Sequence, residues 1–348
     1  METAGPLLAM AAVWALFAAL RWNTFATWEN AQNILLQTVV VGIAALGGTM
    51  IIISGGIDLS VGSFIVLVAV TTALAVNALL AHEWSSAAAV CAAAAAGLAV
   101  GATSGLSVGA MVIGRLGRVV APLAVGLALL VAWKWGWGTG RGVAMLVAGG
   151  AVAAAAVWAD RRLQPPLLLT PFIITLGMWG ALRGAAKGLA SNAAVYPPSD
   201  FKTPLFDFMR LPQAKVDATL LLRPWQWWSP GVWIFLVLAL VIAVVLKYTQ
   251  FGRHVYAIGS NEQTARLCGV HVERAKLKVY ALAGLLAGVA GVLQVGFNKL
   301  GDPTPGAGYE LKVIAGGVIG GASLSGGAGS VLGTVAGALM MTIIDNGC

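Results

Sequence analysis

Long apolar runs are the feature that most constrains the fold of this 348-residue chain. They lie at residues 5–21, 34–53, 61–81, 86–113, 119–135, 142–159, 168–190, 230–248, 276–298, 311–324 and 328–345. A helix needs about 20 apolar residues to cross the hydrocarbon core of a bilayer. Because helices satisfy their own backbone polar groups in lipid, the runs predict an all-α polytopic membrane protein with about ten to eleven transmembrane helices.

Composition agrees with this fold class. The chain is 59% hydrophobic and only 10% charged, whereas soluble domains contain about 25% charged residues. Its cysteines and histidines are scattered, so no disulfide framework or metal site is predicted. It has no G-x-x-x-x-G-K-S/T motif and therefore no phosphate loop of its own. The first run lacks the basic region that precedes a cleaved signal peptide, so we expect a retained span.

Basic residues near the ends of the runs indicate the orientation. Three basic groups are separated from one another by two apolar runs each: Arg115 with Arg118, Arg161 with Arg162, and the segment 249–278. Because two spans return the chain to the side where it started, all three groups are predicted to lie on the same side of the membrane. We place that side in the cytoplasm. The proline-containing segment 191–229 is then a periplasmic loop. The short, glycine-rich run 311–324 is predicted to be re-entrant or broken.

The stretch SGGIDLSVGS, residues 54–63, places a carboxylate and hydroxyls between two apolar runs. Its glycines predict a break between helices, because glycine tolerates the dihedral angles of a sharp turn. Asp58 and Ser60 then have two interpretations. They could line a pathway, since acids inside a membrane are usually functional. They could instead supply oxygens to the free N–H groups of the helix that begins near Ser60 or Val61, which we favour.

Other polar residues lie inside or beside the runs. Arg183 and Lys187 share one helical face, and we expect both to extend to the outer interface. Glu310 suits the first turn of a helix better than a solute contact. Gln294 and Asn298 share a face of run 276–298 and are stronger pathway candidates, and Thr175 is a weaker one.

The segment 249–275 is the long polar stretch on the cytoplasmic side. Asn261 is predicted to be the N-cap of a short helix, with Glu262 in its first turn, Arg266 near its end and Gly269 as its C-cap. Such a helix between two spans is either a docking element or part of a solvated loop.

Five blocks of the sequence give a more specific indication. They are SGGIDLSVGS (54–63), PFIITLGMWGALRG (171–184), FGRHVYAIGSNEQTARLCGV (251–270), KVYALAGLLAGVAGVL (278–293) and GYELKVIAGGVIGGASLSGGAGSVLGTVAGAL (308–339). In this order they resemble the membrane permease subunits of ABC-type simple-sugar importers, the group that moves ribose, xylose, arabinose and galactose. The resemblance implies a single permease domain over residues 1–348, in the bacterial inner (plasma) membrane, that forms the translocation pathway for a monosaccharide.

The resemblance also implies the partners. These are a second permease subunit, identical or different, ATP-binding cassette ATPase subunits, and a periplasmic sugar-binding protein. The chain would then be a transport subunit and not an enzyme, with no cofactor and no nucleic-acid partner, because ATP binds the ATPase subunit. Residues 249–275 would form a cytoplasmic coupling loop, in which 261–270 is the coupling helix that docks on the ATPase. The resemblance assigns ATPase coupling to Gly252, Arg253, Gly259, Asn261, Glu262, Ala265, Arg266 and Gly269. The pathway or gating candidates are Asp58, Ser60, Thr175, Gln294, Asn298 and Glu310, since an uncharged sugar needs amide and hydroxyl partners.

Two departures from the family pattern stand out. Residues 119–162 are an apparent insertion, predicted to form a helical hairpin, and the resemblance implies one more span, apparently missing, after residue 348. The alternatives are the same importer architecture for a nucleoside, a branched-chain amino acid or a sugar-derived signal, an ion-coupled secondary transporter, and an intramembrane hydrolase. A secondary transporter would need paired acids in mid-span, where Asp58 alone is a candidate. A hydrolase would need a serine or metal with a companion base, which we do not find.

Overall fold

The computed structural model describes residues 4–114, 140–162, 171–198, 229–304 and 308–348. These ranges are helical apart from turns and connections, and one isolated β-bridge joins Val195 to Gly301. The helices are α1 (Ala4–Leu20), α2 (Trp22–Phe25), α3 (Trp28–Ile53), α4 (Val61–Ala81), α5 (Ser86–Val112), α6 (Gly140–Arg162), α7 (Pro171–Leu189), α8 (Pro230–Tyr248), α9 (Gln250–Ser260), α10 (Glu262–Leu267), α11 (Val272–Asn298), α12 (Tyr309–Ile319) and α13 (Val331–Gly347).

Five of the described helices are long and apolar enough to cross a membrane, namely α3, α4, α5, α8 and α11. Helices α1 and α13 are also apolar but have 17 residues each. The prediction of an all-α polytopic membrane protein is confirmed. The total of ten to eleven spans remains a prediction, as does the insertion, because run 119–135 lies outside the described residues. Its second predicted arm corresponds to α6.

Helix α11 lies at the centre of the bundle, where it packs against α5, α3 and α4. Close approach to α5 depends on glycine: a Cβ atom on Gly284 of α11 would lie 2.6 Å from the Cα of Gly105 on α5. Small residues let membrane helices approach closely enough for backbone contact. The central position of α11 buries its polar residue Gln294, whereas Asn298, one turn later, is exposed.

Helices α12 and α13 form an antiparallel hairpin. Gly316 lies against Ala338, and one turn later Gly320 lies against Gly333. Helix α12 has 11 residues, about 16 Å of helix, which is roughly half of the hydrocarbon thickness. The prediction that the run 311–324 is broken is therefore confirmed: its helix ends at Ile319, and Gly321 follows with a φ of +91°.

The segment 249–275 contains two helices, α9 and α10, so the prediction of a loop with one short helix was wrong in this respect. Thr249 is the N-cap of α9, and its Oγ1 accepts from the N–H of Gly252 at 3.2 Å. Val255 and Ile258 are buried, whereas the polar Arg253 and Ser260 of the same helix are exposed. The high polar content hid this amphipathic spacing, which is one turn of helix long.

The predicted outer side is described in part. Residues 191–198 and Ser229 belong to the predicted periplasmic loop, whose other residues lie outside the described ranges. Val195 and Gly301 exchange both backbone hydrogen bonds, at 2.8 and 2.9 Å. Arg183 donates to the carbonyl oxygen of Thr304 at 3.0 Å. The end of α7 is thus tied to the connection after α11, and Lys187 is exposed nearby.

Candidate functional site

A cavity of about 260 Å³ lies between α3, α11, α12 and α13. Two predicted pathway residues, Gln294 and Asn298, both line it. They lie one helical turn apart on α11, so their amides point toward the same space. Gln294 is only 5% exposed, and its Oε1 has no hydrogen-bond partner among the described residues. A buried amide oxygen without a partner is costly, so this wall of the cavity favours a ligand that donates hydrogen bonds.

The opposite walls supply polar groups that the sequence analysis did not select. Gln37 of α3, Tyr309 and Lys312 of α12, and Asp345 of α13 also line the cavity. Lys312 and Asp345 form an ion pair, with 2.5 Å between Nζ and Oδ2. Their charges, which fall within apolar runs, could have marked both as candidate site residues in the sequence. Their pairing could not be predicted, because they are 33 positions apart and meet only through the α12–α13 hairpin.

Glu310 lies in the first turn of α12, as predicted, but does not line the cavity. Its Oε1 accepts from the N–H of Gly308 at 3.2 Å. Gly308 has a φ of +99°, a region that favours glycine. Glu310 therefore satisfies a free donor at the start of a half-length helix, which is the role that the sequence favoured over a solute contact.

The remaining pathway candidates form a separate cluster at the α3–α4 connection. Oδ1 of Asp58 accepts from the backbone N–H of Ser60 at 2.7 Å and from its hydroxyl at 2.5 Å. Thr175 donates to the carbonyl oxygen of Ile57 at 3.3 Å, which ties α7 to the same connection. Asp58, Ser60 and Thr175 are all buried. The structure brings these three together, but away from the cavity lined by Gln294.

One part of the capping prediction was wrong. Ser60 is the N-cap residue of α4, but its side chain does not accept from a helix N–H. Its hydroxyl donates to Asp58 instead. Asp58 does satisfy a backbone donor at the helix start, although that donor belongs to Ser60 itself and not to the first turn. A carboxylate two residues before the cap is an Asx-type arrangement, which local spacing alone did not distinguish from an N-cap.

Four glycines meet where three segments converge, and we call Gly55, Gly259, Gly326 and Gly327 the glycine junction. The N–H of Gly327 donates to the carbonyl oxygen of Ile53 at 2.9 Å. A Cβ atom on Gly326 would lie 3.0 Å from the Cα atoms of both Gly259 and Gly55. The C-terminal end of α9 is therefore packed, backbone to backbone, against the end of α3 and the connection before α13.

The N-terminal cap of helix α10 is the residue that the sequence predicted. Oδ1 of Asn261 accepts from the N–H of Thr264 at 2.9 Å. Ala265 is buried against α9 and α11. At the other end, Cys268 is the C-cap, and Gly269 follows it with a φ of +82°. The predicted C-cap is thus displaced by one residue, with glycine in the left-handed position that commonly ends helices.

Ion pairs hold α10 against the start of α11. Oε2 of Glu262 lies 2.6 Å from Nζ of Lys276, and its Oε1 lies 3.4 Å from Nη2 of Arg266. Nη1 of Arg266 lies 3.9 Å from Oε1 of Glu273. Burial raises the pKa of Glu262, but the hydrogen bonds and charges of Lys276 and Arg266 outweigh it and hold that pKa below its ordinary value. The ion pairs therefore stabilise the fold above the ordinary pKa of a glutamate and are lost as the pH falls through the lower folded-state pKa.

The residues assigned to coupling by resemblance separate into three groups. Five belong to α10 and the residues beside it. Of these, Ala265 is buried, whereas Asn261, Glu262, Arg266 and Gly269 lie on the outer side, beside Leu267, which is 89% exposed. Gly252 and Gly259 are packing positions, because a Cβ atom on either would overlap neighbouring backbone. Arg253 lies apart from α10, in a groove shared with Lys247 of α8.

Comparison with known proteins agrees with this architecture. Residues 30–142 and 107–348 match the family model described as "Branched-chain amino acid transport system / permease component". The chain is 33% identical over 341 residues to the ribose import permease protein of Escherichia coli (strain K12), covering 98% of this chain and 84% of the relative. It is 32% identical over 343 residues to the xylose transport system permease protein of Haemophilus influenzae, covering 98% and 88%.

A further relative is a probable ABC transporter permease protein of Escherichia coli (strain K12), which is 33% identical over 343 residues, covering 98% of this chain and 80% of the relative. No solved structure matches the chain. The resemblance to permease subunits is confirmed by matches that extend over nearly the whole sequence. The chain therefore belongs to the family of transport-system permease components that this model describes, as a multi-pass membrane protein.

Proposed function

We propose that this chain is the transmembrane permease subunit of an ATP-binding cassette importer and forms the pathway for a monosaccharide. The observation that carries the proposal is the cavity beside Gln294 and Asn298, taken with the ribose and xylose permeases among its relatives. An uncharged sugar offers hydroxyl groups that both donate and accept. The orphaned Oε1 of Gln294 and the exposed amide of Asn298 are suitable partners for them.

The size and depth of the cavity support a small solute. Its volume of about 260 Å³ is slightly below the range of about 300–1,000 Å³ that is typical of pockets for drug-sized ligands. It is walled by the half-length helix α12, and broken helices inside membranes occur where they line a cavity or are buried in protein. Gln294 and Asn298 lie near the end of α11 opposite to its basic start. The cavity accordingly lies toward the predicted periplasmic side, where a binding protein would deliver the sugar.

The proposed partners follow from the cytoplasmic end of the chain. Helix α10 presents Arg266 and the exposed Leu267 to an ATPase subunit, which binds and hydrolyses ATP, so this chain needs no cofactor. The glycine junction then connects α9 to α3 and α13, two of the helices that wall the cavity. A second permease subunit and a periplasmic sugar-binding protein complete the importer in the bacterial inner membrane.

A second candidate solute is a branched-chain amino acid. The family model carries that description, and the Lys312–Asp345 pair places both signs of charge at the cavity wall. An amino acid zwitterion would engage both charges, whereas a sugar would leave them paired with each other. The two candidates therefore differ in which residues recognition requires: the amides of α11 for a sugar, and the ion pair for an amino acid.

The test is uptake in the host of this gene. A deletion strain is complemented with wild type, Gln294→Leu plus Asn298→Leu, or Thr103→Val, and the uptake of labelled ribose, xylose and leucine is measured. Among the described residues, Thr103 donates only to backbone carbonyls of its own helix, and it does not line the cavity. We expect the deletion to abolish uptake of one monosaccharide, the wild type and the Thr103 variant to restore it, and the amide variant to restore less than about a tenth.

Two results would refute parts of the proposal. Unchanged sugar uptake in the deletion strain, with leucine uptake lost, would establish the amino acid alternative. Full complementation by the amide variant at matched membrane abundance would remove Gln294 and Asn298 from the pathway. Co-purification of the tagged chain with its ATPase would test the partner assignment separately.

A further inference from the structure

A second cavity lies at the predicted cytoplasmic end of the bundle, between α8, α9 and the start of α13. It forms an apolar groove of about 550 Å³. Its apolar wall includes Ala243, Leu246 and Leu332, and two cations, Lys247 and Arg253, lie at its edge. We call this site the basic groove. It shares no residue with the cavity lined by Gln294 and Asn298, which we call the pathway cavity.

The two cations have no acidic partner in the part of the chain that the structure describes. Among the described residues, neither Lys247 nor Arg253 lies within ion-pair distance of a carboxylate, and no acidic residue lines the groove. Both side chains are exposed. Nζ of Lys247 lies 5.4 Å from the ring centroid of Tyr248, a cation–π contact that leaves its charge available to an anion.

The position of the groove matches the level of lipid headgroups. Lys247 lies in the last turn of α8, an apolar helix long enough to span the membrane, and Arg253 lies in the first turn of α9. Tyr248 and Leu332 beside them are 68% and 67% exposed. Cations and a tyrosine at the end of a span, next to exposed apolar residues, are typical of the membrane–water interface.

We propose that the basic groove binds an anionic phospholipid of the cytoplasmic leaflet. The phosphate lies between Lys247 and Arg253, and an acyl chain follows the apolar wall past Ala243 and Leu332. Charge complementarity selects an anionic headgroup. The apolar wall favours a phospholipid over free phosphate, because free phosphate has no acyl chain to pack against it. The site is thus a lipid contact of the permease that is independent of which solute it carries.

The experiment uses the full-length chain purified in mild detergent. Its bound phospholipids are counted by native mass spectrometry while phosphatidylglycerol is titrated against a background of phosphatidylcholine. Lys247→Gln plus Arg253→Gln should weaken phosphatidylglycerol binding roughly ten-fold or more, since each cation near an anionic surface contributes about five-fold. Ala243→Trp should also weaken it, because the groove is filled without a change in charge.

The matched control is Arg274→Gln plus Lys278→Gln. These residues are exposed cations on the same predicted face but outside the groove, and the change removes the same charge. The control should bind phosphatidylglycerol as wild type does. Wild-type binding by the Lys247 and Arg253 double variant, or equal weakening by the control, would overturn the proposal. So would a disulfide-linked dimer of the Leu332→Cys variant in native membranes, with the three native cysteines replaced, because two introduced thiols could then meet and a second copy of the chain would lie at the groove.

Discussion

The backbone N–H of Gly327 donates to the carbonyl oxygen of Ile53, with 2.9 Å between the two atoms. Ile53 is the last residue of α3, and Gly327 lies in the connection that leads into α13. Two walls of the pathway cavity are therefore tied at one end. Gly259, at the end of α9, packs against the same carbonyl. We therefore expect a displacement of α9 to act on both walls.

Gly259→Ala should damage this connection. A Cβ atom there would overlap the Ile53 oxygen and lie 2.5 Å from the nitrogen of Gly327. Overpacking of this kind typically costs about 1–3 kcal/mol, although alanine is otherwise the better helix former. We expect a lower unfolding temperature in detergent and reduced uptake. Gly184→Ala, where a Cβ atom would meet nothing within 4 Å, should behave as wild type in both measurements. A stable, fully active Gly259 variant would show that the junction is loose.

Local patterns predicted the helices that carry their own start and stop signals. The run 61–81 coincides with α4 because the SGGIDLS turn precedes it, and Asn261 with Glu262 marked the start of α10. The position of Gln294 and Asn298 on one face of α11 also followed from helical spacing. The glycine junction did not, because Gly55, Gly259 and Gly327 are some 70 to 270 positions apart. They meet only through the packing of α3, α9 and the connection before α13, and no spacing in the sequence predicts such a contact.

A charge exchange tests what Glu262 does. Glu262→Lys should displace α10 from Lys276 and reduce co-purification of the ATPase, while adding Lys276→Glu should restore it by reversing the pair. Because the Glu262 side chain is 42% exposed, the change in global stability should be small, about 0.2–1 kcal/mol. Gln263→Lys is the control, since it places the same lysine at the neighbouring exposed position, where it adds one positive charge and Glu262→Lys adds two. If the double variant stays uncoupled, Glu262 contacts the ATPase directly and does not merely position α10.

Because Lys312 and Asp345 form an ion pair, the effects of replacing them on the free energy of unfolding should not be additive. Lys312→Met leaves the Asp345 carboxylate without its partner, and we expect a loss of about 1 kcal/mol, since both side chains are a third or more exposed. Lys312→Met together with Asp345→Leu should regain most of that loss, because two apolar groups replace the pair. Thermal unfolding in detergent measures both, with the exposed Lys187→Met as the control. Asp345→Leu alone completes the cycle, and a double-variant loss equal to the sum of the two single-variant losses would mean that the pair contributes no coupling energy.

The predicted hairpin at 119–162 can be tested at Gly138, which lies outside the described residues. A single cysteine placed there in a cysteine-free background should react with an impermeant thiol reagent in intact spheroplasts, because the basic residues at both ends of the insertion are expected inside. A cysteine at Ser260, on the predicted cytoplasmic side, should react only after permeabilisation. Labelling of the Gly138 site only after permeabilisation would reverse the predicted topology of this segment.

Asp58 should act through its oxygen atoms more than through its charge. Asp58→Asn keeps an acceptor for the buried N–H of Ser60, whereas Asp58→Leu leaves that donor unsatisfied at a cost of about 1–3 kcal/mol. We expect Asn to preserve the yield of monodisperse detergent-extracted protein and much of the uptake, and Leu to reduce both. Ser60→Ala removes the hydroxyl contact alone and leaves the backbone donor paired with Asp58, so its effect should be smaller than that of Leu. If the Asn and Leu variants both fold normally and both lose uptake, the carboxylate itself takes part in gating or translocation, and its role in satisfying the α3–α4 connection is secondary.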